Sequence, residues 1–158
     1  MSDAAKDAVK VVATNRSARH DFFIEDVFEA GMVLTGTEVK SLRQGRAAIG
    51  EGYIYIDGGE AWCENIHIPE YTQGTWTNHA VRRKRKLLLN HHEIDELAIR
   101  TREKGHTIIP LRLYFLKGRA KLEIGLAQGK KLYDKRQTLR ERQDNREAER
   151  AMSRKGRE

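Results

Sequence analysis

Two runs of alternating apolar residues on either side of Lys117-Gly118-Arg119 constrain this chain more than any other feature. Ile109, Leu111, Leu113 and Phe115 alternate with Pro110, Arg112 and Tyr114; Ala120, Leu122, Ile124 and Leu126 then alternate with Lys121 and Glu123. A period of two belongs to a strand, whose side chains point to opposite faces in turn. The pair therefore predicts a β-hairpin with one apolar face and one basic or polar face. Tyr53–Asp57 and Ala61–Ile68 flank Gly58-Gly59 and predict a second hairpin, because glycines accept the positive φ angles of a tight turn. Phe22–Leu34 is rich in β-formers and broken only by Gly31, and Arg82–Leu89, basic first and aliphatic afterwards, predicts a further strand.

Two helices interrupt the strands. Asn90-His91-His92-Glu93 is an Asn version of the capping box, followed by Ile94, Leu97, Ala98 and Thr101 at helical spacing and by Gly105 as a stop. A shorter helix over Thr37–Gln44 places Val39 and Leu42 three apart and ends at Gly45. The expected fold is mainly β: an OB-like closed antiparallel β-barrel with two to three packed α-helices, an architecture often used to bind oligonucleotides.

The chain has 158 residues, with 30 Lys and Arg against 23 Asp and Glu, a formal net charge of +7. The excess is unevenly placed. Gln128–Glu158 holds 11 Lys and Arg against 6 Asp and Glu, and its large apolar side chains are only Leu132, Tyr133, Leu139 and Met152. Such a segment cannot bury enough area to offset its ordering entropy, so a tail disordered when free is expected. Its composition favours helix once a partner holds it. Arg142, Arg146, Arg150 and Arg154 then form one stripe, whose mutual repulsion a polyanion would remove. The expected organisation is a flexible N-terminus over 1–14, a barrel over 15–127 and a basic tail over 128–158.

No apolar run approaches the roughly 20 residues of a membrane span, and Met1–Lys10 lacks the apolar stretch of a secretory signal. One cysteine, Cys63, excludes an intramolecular disulfide and any multi-cysteine zinc site. A reducing, cytoplasmic setting is expected, with no membrane partner. The six histidines lack HExxH spacing, the serines sit in no GxSxG elbow, and there is no Walker A loop or GxGxxG. Neither a catalytic residue, a metal nor a cofactor is expected. One enzyme alternative stays open: Glu25, Asp26 and Glu29 as a magnesium-dependent nuclease site.

Polyanion binding is favoured by the placement of charge. Arg82-Arg83-Lys84-Arg85-Lys86 is a run of five basic residues. Further groups are Asn15–His20 (with Arg16 and Arg19), Lys40, Arg43 and Arg46 around the short helix, and Lys117, Arg119 and Lys121 at the hairpin. With Tyr53, Tyr55, Trp62, Tyr71, Trp76 and Tyr133 available for stacking, they point to nucleic acid. A general single-strand RNA or DNA binder remains an alternative.

Several long words make the resemblance specific. Asn15–Glu25 (NRSARHDFFIE), Phe28–Gly31 (FEAG), Leu34–Arg43 (LTGTEVKSLR), Arg85–Asn90 (RKLLLN) and Gly129–Arg136 (GKKLYDKR) follow one another in order. They resemble the SmpB family, bacterial proteins that partner transfer-messenger RNA (tmRNA, SsrA RNA). The resemblance implies an RNA-binding protein rather than an enzyme. Such a protein binds the tRNA-like domain of tmRNA, occupies the volume of the missing anticodon arm and delivers alanyl-tmRNA to stalled ribosomes for trans-translation. Implied partners are tmRNA, the bacterial ribosome with its small-subunit rRNA, and, indirectly, elongation factor Tu and alanyl-tRNA synthetase.

Carried over by position, Glu29, Leu88 and Asn90 are implied to contact tmRNA. Lys121, Asn15, Arg16, Arg19, Lys40 and Arg43 are expected to supply further contacts. Asn90 has donor and acceptor groups for an RNA edge, although it is also the expected helix cap. Glu29 accepts from an amino group or a 2′-OH. His20 and the tail residues Gly129, Lys130, Lys131, Tyr133, Asp134, Lys135, Arg136, Arg142, Arg146 and Arg150 are implied to lie in the decoding centre and mRNA channel, the tail helical there. Gln143-Asp144-Asn145 is wholly polar where some relatives place an aromatic.

Overall fold

The structure, a computed structural model, describes residues 9–73 and 78–130. The elements run β1 (Lys10–Thr14), α1 (Ala18–Asp21), β2 (Phe22–Met32), α2 (Gly36–Arg43), β3 (Tyr53–Asp57), β4 (Glu60–Glu64), β5 (Arg85–Leu88), α3 (His91–Arg100), β6 (His106–Leu116) and β7 (Arg119–Gly129). All strand pairings are antiparallel, in one seven-stranded sheet of order β1-β6-β3-β4-β5-β2-β7, and β7 pairs with β6 as well as with β2. None of the described helices is long and apolar enough to cross a membrane.

Both expected hairpins form, each through two successive residues of positive φ: Gly58 (60°) and Gly59 (75°), then Lys117 (52°) and Gly118 (76°). That geometry matches the right-handed twist of the flanking strands. The short helix α2 is closed by a reciprocal capping box. Thr35 N–H donates to Glu38 Oε1 (2.9 Å), and Glu38 N–H donates to Thr35 Oγ1 (3.4 Å). At the start of α3, Asn90 N–H donates to Glu93 Oε1 (3.1 Å), as the capping signature predicts.

Four expectations change. First, Lys10–Thr14, assigned by composition to a flexible leader, is strand β1, paired to β6 from Lys10↔Phe115 to Thr14↔Arg112. Second, the hairpin β6–β7 does not keep one apolar face. β-Bulges leave Leu111 of β6 and Glu25 of β2 without an opposite residue, so the register steps from Pro110↔Ile124 to Arg112↔Glu123 and from Ile24↔Ala127 to Asp26↔Leu126. One extra residue inverts the phase of a strand. Ile108, Leu113 and Phe115 thus enter the main core, while Ile109 and Leu111 pack with Ala18 and Ala127 in a second cluster under α1. Third, β4 stops at Glu64, because Asn65 takes a left-handed φ of 64°; Ile66 and Ile68 stay fully buried outside a strand. Fourth, the basic run 82–86 is not a free cationic strand. Arg85 is wholly buried against Glu38, Arg83 joins the same carboxylate, and Lys86 pairs with Glu60 at 3.0 Å. Lys84 sits 4.2 Å from the Trp62 ring centroid, and Arg82 donates to Asn65 Oδ1 at 2.7 Å.

The main core contains Leu42, Ile54, Leu87, Leu97, Leu122, Ile124 and Leu126, each nearly or fully buried. Side chains of this size contribute about 1.5–3 kcal/mol each on burial.

Candidate nucleic-acid interface

Register alone lines up the site. Leu88, Gly31, Lys121, Tyr114 and Val11 lie side by side across β5, β2, β7, β6 and β1. Two residues along, or three on β1 through its bulge, Glu29, Glu123, Arg112 and Thr14 form a parallel row. Because side chains alternate, both rows share the face opposite the main core, which takes Ala30, Leu122 and Leu113 from the intervening positions.

A cleft of about 300 Å³ opens at the hairpin end of this face, walled by Leu88, Gly31, Leu34, Val39 and Phe115, with Arg119 and Lys121 beside them. Leu88 is 53% exposed, an unusual position for a leucine flanked by core neighbours. Arg43 of α2 stacks its guanidinium 5.0 Å from the Phe115 ring and so stands next to the same cleft. A second cleft of about 410 Å³ lies toward α1, lined by Asn15, Arg16, Arg19, Arg112 and Glu123.

Charge on the face is organised by pairing. Glu29 and Glu123 are direct cross-strand neighbours, an arrangement that like charges disfavour. Each acid is given its own partner: Tyr114 Oη donates to Glu29 Oε2, and Arg112 Nη2 donates to Glu123 Oε2 at 2.9 Å. The Arg112 guanidinium also covers the Tyr114 ring at 4.8 Å. Burial first, and the Glu29 carboxylate second, raise the Tyr114 phenol well above its ordinary value, so it remains a proton donor. Arg16 and Arg19 are exposed and make no ion pair among the described residues.

The structure therefore brings Glu29, Leu88, Lys121, Arg16, Arg19 and Arg43 onto or beside one surface. Asn15 lines that surface, but its side chain is already used: Nδ2 donates to Pro110 O (2.9 Å) and Oδ1 accepts from Ser17 (3.2 Å). With Asn15 N–H donating to Leu111 O (2.8 Å), it satisfies the carbonyls at the β6 bulge. Lys40 lies apart, 5.7 Å from the Tyr71 ring. Asn90 is exposed at the head of α3. His20, Gly129 and Lys130 sit at the other end of the β2–β7 pair: Gly129 opposes Phe22, Lys130 lies 5.4 Å from the Phe23 ring, and His20 Nδ1 is 3.0 Å from Asp21. Lys131, Tyr133, Asp134, Lys135, Arg136, Arg142, Arg146 and Arg150 lie outside the described residues, as does Trp76.

The carboxylates of the nuclease alternative are held by the protein itself. Arg100 of α3 binds both Glu25 (Nη2 to Oε2, 3.0 Å) and Asp26, and His106 contacts Glu25 at 3.0 Å. They tie α3 and β6 to the β2 bulge. Cys63 is buried, and desolvation pushes its thiol up to about 12, which makes it an inert core residue. Sequence reasoning missed Tyr114, Arg112 and Glu123 as members of the site. A two-residue turn at Lys117-Gly118 already implies the pairs Tyr114↔Lys121 and Arg112↔Glu123, so the signal was present.

An exposed sheet face with unpaired arginines, a half-exposed apolar cleft and acids held by internal partners is the surface of an RNA-binding β protein. A family model described as SmpB protein matches residues 12–154, and the chain belongs to that family, one of RNA-binding proteins and not of enzymes. It is 68% identical over 144 residues to a Streptomyces avermitilis protein called SsrA-binding protein, covering 91% of this chain and 81% of that one. A Clavibacter michiganensis protein of the same description is 66% identical, covering 91% of both chains. Among solved structures, the chain resembles one described as "tmRNA-SmpB: a journey to the center of the bacterial ribosome". That likeness has a TM-score of 0.64 and 45% identity over 74% of this chain and 82% of the other.

Proposed function

We propose that this chain is a tmRNA-binding protein of trans-translation, which holds the tRNA-like domain of tmRNA on the face formed by β5, β2, β7 and β6. The observation that carries this reading is the likeness to the tmRNA-SmpB structure, supported by relatives described as SsrA-binding proteins. In this reading Lys121, Arg16, Arg19 and Arg43 meet phosphates, Leu88 packs on a base or sugar, and Glu29 and Asn90 read hydrogen-bonding edges. Asn15 shapes the surface, and Lys40, which lies apart from it, adds only long-range charge. The sheet, from Lys10 to Gly129, is read as an OB-like closed barrel, because β7 bonds to both β2 and β6.

The protein mimics the missing anticodon arm and delivers alanyl-tmRNA to stalled ribosomes in the cytoplasm. Elongation factor Tu and alanyl-tRNA synthetase enter only through that RNA. His20 and the basic tail that follows β7, over 130–158, go to the decoding centre and empty mRNA channel. There Tyr133 stacks on a base, and Arg142, Arg146 and Arg150 run along a helix that forms on the ribosome. The nascent chain is then tagged for degradation.

The test is binding to the tRNA-like domain against an unstructured RNA of equal length at two salt concentrations. A preference that survives the higher salt supports shape and 2′-OH recognition; equal affinities that collapse together indicate counterion release only and overturn the reading. Deleting 130–158 is expected to leave that affinity in place and to abolish tagging. A truncated protein that still tags removes the role given to the tail.

A further inference from the structure

The Glu29 carboxylate is exposed on a surface that must accept a polyanion. A free carboxylate there rotates, repels phosphate and pays to be ordered, so its usefulness depends on what holds it. Tyr114 is 2% exposed and belongs to the neighbouring part of the same face, one strand beyond β7. Its hydroxyl reaches across β7 to Glu29 Oε2. The ring in turn is covered by Arg112 at 4.8 Å, and Arg112 is anchored on Glu123 at 2.9 Å. Three side chains from two strands thereby fix Glu29 Oε2, and no described residue donates a hydrogen bond to Oε1.

We infer that Tyr114 is the positioning residue of the RNA site: its hydroxyl orients Glu29 so that the remaining oxygen accepts from one amino or 2′-OH donor of the bound RNA. The inference rests on the RNA-site reading above and assigns a role to a residue that touches no RNA itself. The Arg112–Glu123 pair serves the same end, since it removes the like charge opposite Glu29 and clamps the ring that carries the hydroxyl. A carboxylate held this way loses little freedom on binding, so its hydrogen bond to the RNA is worth more than that of a swinging side chain.

A double-mutant cycle tests it, read as affinity of the full chain for the tRNA-like domain. Tyr114→Phe keeps the ring under Arg112 and removes one oxygen. It is expected to bind roughly tenfold more weakly, the scale of one charge-assisted hydrogen bond. Glu29→Gln is expected to lose a similar factor, and the double variant to bind within about twofold of Glu29→Gln, because Tyr114 acts only through Glu29. Glu29→Asp keeps the charge but withdraws it from the hydroxyl, and should lose as much as Glu29→Gln. Losses that multiply in the double variant, a Tyr114→Phe protein that binds like the wild type, or Glu29→Asp binding normally each overturn the inference. A wild type with no preference for the tRNA-like domain defeats the RNA-site reading first; an intact preference with independent losses defeats only the role of Tyr114.

Discussion

Arg85 and Glu38 meet in the interior of the molecule with both side chains fully buried, Arg85 Nε on one carboxylate oxygen and Arg83 on the other. Arg85 spends its remaining donors on Ile66 O (2.8 Å) and Val81 O (3.0 Å). One guanidinium thus ties β5, α2 and the chain between Ile66 and Val81 together. Each charge there is tolerable only because the other is present.

Removing one partner should therefore be severe. Glu38→Ala leaves the Arg85 guanidinium buried without its counter-ion and is expected to cost about 3–5 kcal/mol, the usual penalty for an orphaned buried charge. Urea unfolding measures it directly. A loss below about 1 kcal/mol would show that water reaches Arg85.

The same pair sets an acid sensitivity. Burial alone raises the Glu38 carboxyl, but hydrogen bonds from Arg83, the Thr35 backbone and Arg85, with the Arg85 charge, outweigh it and hold the group below its usual 4.5. A depressed carboxyl contributes stability that is present above its unfolded value and lost as pH falls through its folded value. Stability should thus fall from pH 4.5 downward, and Glu38→Gln should flatten that part of the curve. An unchanged acid limb in Glu38→Gln would assign the effect to other carboxylates.

Adjacent leucines should separate binding from folding. Leu87 is 1% exposed and Leu88 53%. Leu87→Ala is expected to cost about 2–5 kcal/mol of stability, as large-to-small changes in a core do. Leu88→Ala should cost little stability and weaken RNA binding instead, as paired unfolding and binding curves would show.

Charge neutralisation should distinguish two kinds of arginine. Arg16→Gln and Arg19→Gln are each expected to lower the slope of log affinity against log salt by about one without changing the unfolding midpoint. Arg83→Gln should lower the midpoint, since its guanidinium is bonded to buried Glu38.

Cys63, with its thiol pushed up to about 12, should resist alkylation at pH 8 and react at a rate that follows unfolding in urea. Fast labelling of the native protein would contradict its burial.

Most of the scaffold was legible because its signals are local. The turns at Gly58-Gly59 and Lys117-Gly118, the capping box at Asn90 and the stop at Gly45 each depend on residues within one or two turns of chain; the box that Thr35 and Glu38 form at the head of α2 went unread. The family words carried the RNA reading, and the β6–β7 register between the turn and Arg112↔Glu123 followed once the hairpin was known. What failed were inferences about faces. Alternation in β6 promised one apolar side, and an unpaired Leu111 inverted it halfway. The run from Arg82 to Lys86 looked like a polyanion patch until each charge found a partner from elsewhere in the fold.

By itself, then, the sequence determined most of the strands, the two longer helices, the hairpin pairs and the family to which the chain belongs, but not β1 or α1, because propensity, turn chemistry and pattern act over a few neighbouring residues. Tertiary structure alone decided which charges face solvent. Arg85 and Arg16 are the same side chain, and only contacts 47 residues apart in the chain bury the one on Glu38. It also decided that Tyr114 holds Glu29, 85 residues away, since a hydrogen bond across β7 exists only when three strands are brought side by side.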